Sequence, residues 1–292
     1  MLEITRLSKK YDQFALGPID LHLEPGTVHG LIGPNGAGKT TLFRCIMGTV
    51  RRDQGLVKVK GNAANEASGS WKQHVGYVGD YTPLFEHWTG ARNLQAFAAF
   101  YPTWSQESVQ SLAARFDLNL SQVVRKYSTG QRTKLALILA LAHNPDLLLL
   151  DEPANGLDPV ARDVFMEVLF EHMQNEDLTL LYATHHVSEI EQLADQLVFL
   201  NAGRVVAQEC TENLLQNWRK FTFRTENQIG DIPHEISRVN QGHEYEVTTS
   251  NFQSTLSFLE EMGVESIETS KLSTAQISVH ILRNQIKEMN HD

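Results

Sequence analysis

The sequence contains little cysteine. Its 292 residues include only Cys45 and Cys210, and neither stands in a CxxC pair or in a His/Cys cluster. The spacing therefore supports neither a disulfide framework nor a zinc site. We expect two free thiols in a reducing compartment.

Long apolar runs and a targeting segment are also lacking. The longest apolar run, LALILALA at residues 135–142, falls well short of the roughly 18 residues that indicate a membrane span. The opening stretch MLEITRLSKKY does not contain the apolar core of a signal peptide. We therefore expect a cytoplasmic chain, for which any role at a membrane goes through a partner protein.

Positive charge is in short supply. The chain has 35 acidic and 25 basic residues, which gives a formal net charge of -10. Proteins that hold nucleic acid through its phosphates usually carry the opposite balance. We expect no nucleic-acid partner, although the overall charge does not exclude a local basic patch.

What the chain does contain is an alternation of strand and helix patterns. The apolar stretches TVHGLIG, DLLLLDEP, LTLLYATHH and QLVFLNAG are typical of strands buried on both faces. Between two of them, seven residues at helical spacing predict an amphipathic helix: Val160, Val164, Phe165, Val168, Leu169, His172 and Met173. The pattern predicts an α/β fold in which helices cover a parallel sheet.

Two segments depart from this alternation. From about residue 84, ARNLQAFAAFY and SVQSLAARFDL are helical, which predicts an inserted helical subdomain at about 84–140. After about residue 215, KFTFRT, EYEVTT and QISVHIL alternate apolar and polar residues, and FQSTLSFLEEMG reads as a helix ending at Gly263. We expect one large domain, residues 1–215, followed by a small α+β domain, residues 216–292.

The segment GPNGAGKT, residues 33–40, matches the pattern GxxxxGK[ST] between a strand and a helix. Its glycines let the backbone wrap closely around an anion, and the amides and the helix N-terminus then point at a β-phosphate. Lys39 would reach the β- and γ-phosphates, and the Thr40 hydroxyl would ligate Mg²⁺. An ordinary glycine-rich turn is the alternative.

Polar residues end two of the predicted strands. Asp151 and Glu152 lie at the edge where open α/β sheets bind ligands, so Asp151 suits the Mg²⁺ shell and Glu152 the attacking water. His185 would lie beside the γ-phosphate if its strand flanks that of Asp151. A helix-capping pair and a structural histidine are the alternatives. We reject His186 as a joint metal ligand, because neighbours in an extended segment point to opposite faces.

The segment YSTGQ, residues 127–131, precedes a strongly apolar helix. Ser128 can cap this helix, and the free amides at its start offer a second anion site. A single nucleotide needs one phosphate loop, so a second site suggests that two chains share nucleotides across a dimer. An ordinary N-cap is the alternative.

Taken in order, GPNGAGKTT, YSTGQ, LLLLDEP, NGLD and ATHH resemble five motifs of the ATP-binding subunits of ABC transporters: Walker A, signature, Walker B, D-loop and switch histidine. The resemblance covers about residues 1–215. FYPTW and GLDPVARD further resemble export-type cassettes, of the kind associated with antibiotic-resistance and acetoin-utilisation operons in Gram-positive bacteria. The family's fold is a P-loop NTPase (RecA-like) core, and its cofactors are ATP and Mg²⁺.

The resemblance also implies partners and roles. Two cassettes, identical or different, close head to tail around ATP and pull on a membrane-spanning permease, which holds them at the inner face of the cell membrane. Catalytic roles fall on Glu152 and His185, with Tyr11 against the adenine. The other implied nucleotide-binding residues are Gly33, Pro34, Asn35, Gly36, Ala37, Gly38, Lys39, Thr40, Thr41, Ser128, Gly130, Gln131 and Asp158, and the implied metal ligands are Thr40, Asp80 and Asp151.

Two positions differ from the family pattern. Thr129 stands where the first signature glycine is usual, and a β-branched residue is stiffer and bulkier there. Asp80 stands where the Q-loop has glutamine, and its carboxylate is a better ligand for a hard cation. We expect Asp80 to couple the metal to the permease with altered geometry.

Other classes of function explain the motifs less well. A soluble ABC-type ATPase acting on ribosomes or DNA would be expected to carry two cassettes or long coiled coils. A P-loop kinase or GTPase would leave YSTGQ and NGLD unexplained. We therefore favour an exporter subunit, whose substrate is not written in this chain. The permease should meet the helical subdomain and the segment from Asp80 to about Trp88, where PLFEHW presents large apolar groups, although a packed core corner would also explain them.

Overall fold

A computed structural model describes residues 1–64, 69–79, 82–174, 177–227, 229–264 and 266–289, and for 284–289 it describes the helical backbone only. Asp80 therefore lies outside the described residues. The chain forms two compact units. The first contains residues 1–185 and 200–205, and the second contains 186–199 and the chain from 206 onward.

The strands are β1 (Leu2–Tyr11), β2 (Phe14–Leu23), β3 (Val28–Ile32), β4 (Gln54–Val59), β5 (Asn62–Ala63), β6 (Val75–Val78), β7 (Leu147–Asp151), β8 (Thr179–Thr184), β9 (Gln196–Asn201), β10 (Arg204–Cys210), β11 (Arg219–Arg224), β12 (Glu235–Gln241), β13 (Glu244–Thr249) and β14 (Glu268–Lys271). The helices are α1 (Lys39–Ile46), α2 (Gly90–Ala98), α3 (Gln106–Arg115), α4 (Thr129–Leu141), α5 (Pro159–Met173), α6 (Thr211–Asn217), α7 (Phe252–Glu261) and α8 (Thr274–Met289). Strands β9 and β10 contribute residues to both units.

The first unit contains the predicted parallel sheet. Strand β8 pairs in parallel with β3 on one side and with β7 on the other, and β7 pairs in parallel with β6. Every residue of β3, β7 and β8 is buried, which explains their continuous apolar runs. The predicted α/β fold is confirmed, and β7 and β8 end side by side.

An antiparallel sheet in the same unit was not predicted. Its strands lie in the order β2-β1-β4-β5. In β2 the buried residues Leu16, Ile19, Leu21 and Leu23 do not alternate strictly, because the spacing slips at Gly17. A Cβ on Gly17 would lie 2.0 Å from the Leu7 oxygen, so the strands meet there too closely for a side chain. This irregularity hides the period-two pattern in the sequence.

Helices α2, α3 and α4 lie between β6 and β7 in the chain, as the predicted helical insertion requires. Helix α5 also forms where it was predicted, but with one correction. Val160 is 73% exposed, whereas Ala161, Phe165, Val168 and Leu169 are buried. These four share one face at helical spacing, and Val160 lies one residue outside it.

The second unit contains the antiparallel sheet β12-β13-β11-β14. The predicted strands KFTFRT and EYEVTT correspond to β11 and β13, and the predicted helix FQSTLSFLEEMG corresponds to α7, which ends at Glu261 with Gly263 two residues beyond. A compact apolar cluster fills this unit: Phe221, Phe223, Ile229, Ile232, Tyr245, Val247 and Leu259.

The strand predicted at QISVHIL is wrong, because these residues lie in α8. Thr274, Ile277 and Ser278 are buried at helical spacing, whereas Val279, which completed the apparent alternation, is 46% exposed. Ser273 and Gln276 form a reciprocal pair at the helix start. The Gln276 amide donates to Ser273 Oγ at 3.3 Å, and the Ser273 amide donates to Gln276 Oε1 at 2.9 Å. This capping box was the missed helix signal.

Candidate functional site

The glycine-rich loop joins the end of β3 to the start of α1, as its sequence context predicted. Gly36 and Gly38 have left-handed backbone angles, with φ of +81° and +109°. A Cβ on Gly33 would lie 2.3 Å from the Leu200 oxygen, and one on Gly38 would lie 2.8 Å from Phe14 Cζ. The loop therefore needs glycine both for its curvature and for the close approach of its neighbours.

A cavity of about 500 Å³ opens above this loop. Its lining includes eight consecutive loop and helix residues: Pro34, Asn35, Gly36, Ala37, Gly38, Lys39, Thr40 and Thr41. Asp151, the last residue of β7, and Glu152, which follows it, also line this cavity. The structure thus brings the two predicted polar sites together at one edge of the sheet.

The Lys39 ammonium group lies at the centre of this edge and is 6% exposed. Its Nζ donates to the Gly33 oxygen at 2.6 Å and to the Pro34 oxygen at 3.2 Å. It also lies 3.1 Å from Glu152 Oε1. The lysine is therefore held over the loop by two carbonyl groups and a carboxylate, at a point where an entering phosphate would compete for it.

Glu152 is held on its other side by His185, whose Nδ1 lies 2.8 Å from Glu152 Oε2. A carboxylate only accepts hydrogen bonds, so the imidazole N–H donates. The pair meets because β7 and β8 are neighbours, with Asp151 opposite Ala183. His185 was predicted to lie beside a γ-phosphate only if its strand flanks that of Asp151, and β8 does flank β7. Lys39, Glu152 and His185 therefore form a continuous chain of contacts.

The backbone at Glu152 is unusual. Its φ is +50°, a left-handed value that side chains other than glycine adopt at a cost of order 1–3 kcal/mol. The Glu152 amide donates to the Ala183 oxygen at 2.9 Å, which fixes the turn. Strain of this kind persists where the surroundings enforce it, and it aims the carboxylate at Lys39 and His185.

Asp151 is 4% exposed and shares the cavity lining with Thr40. A carboxylate and a hydroxyl are oxygen ligands of the kind that Mg²⁺ prefers. Among the described residues no group of three or more His, Cys, Asp or Glu could hold a metal by itself. A cation here would therefore take its remaining ligands from phosphate and water.

The signature segment begins α4, where the predicted Ser128 cap forms. Ser128 Oγ accepts from the Gln131 amide at 3.2 Å, and Gln131 Oε1 accepts from the Ser128 amide at 2.9 Å. Ser128, Gly130 and Gln131 do not line the 500 Å³ cavity. Thr129 instead lines a neighbouring cavity of about 370 Å³, which Glu152 and Asn155 also border.

Two other predicted residues, Asp158 and Tyr11, do not line the 500 Å³ cavity. Asp158 caps α5, where its Oδ1 accepts from the Ala161 amide at 2.9 Å. Tyr11 is 45% exposed at the end of β1, and its ring stacks on that of Phe14 at 6.5 Å between centroids. Phe14, rather than Tyr11, lines the cavity.

Phe14 and Asn155 line the cavity but were not predicted as site residues from the sequence. Phe14 pairs with Tyr11 across the turn between β1 and β2, so recognising that hairpin would have found it. Asn155 lies in the segment PANGLD, three residues after Glu152. A polar side chain so close in sequence to Glu152 could have indicated that Asn155 also lines the cavity.

Comparison with known proteins agrees with this geometry. Residues 16–155 match the protein family described as ABC transporter. The chain is 35% identical over 212 residues to the daunorubicin resistance ATP-binding protein DrrA3 of Streptomyces coeruleorubidus, covering 70% of this chain and 67% of that protein. It is 31% identical over 223 residues to the Nod factor export ATP-binding protein I of Cupriavidus metallidurans, covering 74% of this chain and 73% of that protein. It also resembles the solved structure of an ATP-binding subunit of an ABC transporter, with a TM-score of 0.67 and 27% identity. The match covers 74% of this chain and 92% of that chain.

Proposed function

The chain belongs to the ABC transporter family as an ATP-binding, ATP-hydrolysing cassette, and on that premise we propose that it powers a separate membrane-spanning permease. The observation that carries the proposal is the chain from Lys39 through Glu152 to His185, at the edge of a cavity formed by the phosphate loop. This arrangement suits the hydrolysis of a phosphoanhydride. Among the described residues no helix has the length and apolar character needed to cross a bilayer.

We assign the catalytic roles to two residues. Glu152 orients and polarises the attacking water, and His185 holds the Glu152 carboxylate and senses the γ-phosphate. Lys39 and the loop residues 33–41 bind the β- and γ-phosphates. Phe14, which lines the cavity, joins Tyr11 as an aromatic contact for the base.

We propose Mg²⁺ as the cofactor bound with ATP. Thr40 and Asp151 would hold it, since both line the cavity and supply oxygen ligands. When bound, the ion neutralises charge on the β- and γ-phosphates. Asp80 remains a proposed third ligand on the strength of the sequence alone, because it lies outside the described residues.

We propose that two cassettes close head to tail around ATP. The start of α4 supports this, because Ser128 is exposed and lies outside its own chain's phosphate cavity. The free amides of α4 therefore suit a γ-phosphate bound by a second cassette. On this proposal Gly130, Gln131 and Asp158 also face the second chain.

The proposed direction of transport is export. Two relatives are named for daunorubicin resistance and for Nod factor export. The permease would hold residues 1–215, as the cassette, at the inner face of the membrane, with residues 216–292 as a separate α+β domain. Phe85 supports a permease contact near the helical subdomain, since it is 50% exposed and stacks on Trp88 at 4.4 Å between centroids.

The test is affinity purification of the tagged Glu152→Gln chain from detergent-solubilised cells in the presence of ATP. Glu152→Gln should bind ATP without hydrolysing it and so retain the closed state. A polytopic membrane protein in stoichiometric amount is the expected result. The matched control is the Lys39→Ala/Glu152→Gln chain, which should not respond to ATP.

Recovery of ribosomes, or of soluble proteins alone, would overturn the permease proposal in favour of a soluble ABC-type ATPase. The co-purified membrane protein, once identified, provides the means to search for the transported substrate.

A further inference from the structure

Thr129 and Gly156 fit against each other in one chain. Thr129 is the first residue of α4, and Gly156 lies in the loop between β7 and α5. A Cβ on Gly156 would lie 2.8 Å from Thr129 Cγ2 and 3.2 Å from Thr129 Cβ. A side chain at position 156 is thus incompatible with the threonine methyl where it lies.

A second contact joins the same two segments. A Cβ on Gly130 would lie 3.0 Å from the Gly156 oxygen and 3.3 Å from Leu157 Cδ2. Thr129 also borders the 370 Å³ cavity together with Asn155 and Glu152. The start of α4 is therefore packed against the loop that follows the catalytic carboxylate.

This contact contributes little to the core, because Thr129 and Gly156 are both exposed. What it can do is fix the position of the loop relative to the start of α4. Thr129 stands where the family pattern has glycine, and the space that its methyl group needs is provided by a glycine at position 156.

We propose that Thr129 is a positioning residue, whose γ-methyl holds residues 155–158 and the start of α4 as one surface for the ATP of the second cassette. The inference rests on the proposed head-to-tail dimer and deepens it. It also explains how a threonine is accommodated where the family has glycine, because the Thr129 side chain packs against Gly156 of the same chain.

The test is a double-mutant cycle in the Glu152→Gln background, with Gly156→Ala, Thr129→Ser and the two combined. The readout is the ATP concentration at which half of the chain dimerises, measured by size-exclusion chromatography with light scattering. We expect Gly156→Ala to raise it about tenfold and Thr129→Ser about threefold. The double variant should be clearly below the product of the two effects, because serine removes Cγ2 at 2.8 Å but keeps Cβ at 3.2 Å. Nucleotide affinity at a protein concentration too low for dimerisation should change less than about twofold, because the phosphate loop is untouched.

Gly61→Ala is the matched control. Gly61 has a φ of +77°, close to the +80° of Gly156, but a Cβ there meets nothing within 4 Å. This variant carries the cost of the left-handed backbone without the clash, so its dimerisation should match the parent. Thr129→Val, which keeps a γ-methyl, should also match the parent and so separates the methyl group from the hydroxyl.

Additive effects in the cycle, with a parent chain that dimerises on ATP, would overturn the inference and leave the proposed function standing. A parent chain that does not dimerise would overturn both. If Gly156→Ala fails to fold, Thr129→Val and Thr129→Ser still test whether the γ-methyl group supports dimerisation. Dimerisation weakened by Val and preserved by Ser would contradict the role of the methyl group.

Discussion

Lys39 Nζ lies 3.1 Å from Glu152 Oε1, so the lysine proposed to bind phosphate and the proposed catalytic carboxylate neutralise each other at the cavity edge. An entering nucleotide has to compete with Glu152 for this ammonium group. Once phosphate takes Lys39, Glu152 keeps its hydrogen bond to His185 and is free to hold water. On the proposed roles, ATP binding and the release of Glu152 for catalysis would be coupled through one ion pair.

Glu152→Gln should separate binding from hydrolysis. Loss of the carboxylate removes the competitor for Lys39 and leaves a buried ammonium group without its carboxylate, so the chain should bind ATP about threefold or more tightly. Turnover should fall about a hundredfold or more, because the water loses its polarising group. Equilibrium binding of a fluorescent ATP analogue and a phosphate-release assay measure the two effects.

The control for this variant is Glu167→Gln, on the exposed face of α5 and paired with Arg115. It should leave both constants unchanged. Weaker ATP binding by Glu152→Gln would contradict the competition between carboxylate and phosphate.

His185→Ala should lower kcat with little change in the KM for ATP. The imidazole contacts the Glu152 carboxylate, so its loss releases that carboxylate, whereas the proposed ligands of the β-phosphate, Lys39 and the loop, are unchanged. We expect kcat to fall about a hundredfold. The neighbouring His186→Ala provides the matched control, because His186 is exposed and follows the end of β8. Equal losses in the two variants would remove His185 from the mechanism.

Two glycines of the phosphate loop should differ in their tolerance of alanine. Gly33→Ala would place a Cβ 2.3 Å from the Leu200 oxygen, and the backbone on both sides has little room to move. It should lower the free energy of unfolding by about 2 kcal/mol or more. Gly36→Ala meets nothing within 4 Å but keeps a φ of +81°, so its cost should be about 1 kcal/mol. Urea unfolding of the two variants distinguishes the effects, and a larger loss at Gly36 would contradict this account.

Most of the cavity was predictable from the sequence because its residues are consecutive. Residues 33–41 form one loop and one helix start, and Asp151 and Glu152 end a run of four leucines. The chemistry of these motifs is local, so spacing alone indicates their roles. The pairing of β7 with β8 was the single long-range condition, and the parallel sheet fulfils it.

The remaining features depend on contacts between distant segments. Phe14 reaches the cavity only because β1 and β2 form a hairpin, and the slip at Gly17 hides that hairpin. The fit of Thr129 against Gly156 joins two segments that are separate in the chain, so the departure at Thr129 was visible in the sequence but its contact was not. In α8 the period-two pattern of Ile277, Val279 and Ile281 concealed a helix that Ser273 and Gln276 cap.

Asp146 should make the stability of the first unit depend on pH. Burial raises the pKa of this carboxyl, but hydrogen bonds from Lys60 and His74 outweigh burial, and the pKa lies below its usual range. The Asp146 oxygens accept from Lys60 Nζ at 2.8 Å and pair with His74 Nδ1 at 2.6 Å, joining the β4–β5 turn to the residues before β6. A depressed folded pKa stabilises the fold fully above the unfolded value near 3.9, and this stabilisation is lost as pH falls through the folded pKa.

Asp146→Asn should therefore lower the free energy of unfolding by about 1 kcal/mol at pH 7, a value discounted for the partial exposure of the group. The difference from the parent should shrink as pH falls below about 4, where the parent also loses the charge. Urea titrations from pH 3 to pH 7 measure it, with Asp163→Asn on the exposed face of α5 as the control, which should differ little from the parent throughout. A constant difference between Asp146→Asn and the parent across this range would mean that the carboxyl acts by shape alone, since a charge effect must vanish when the parent is protonated.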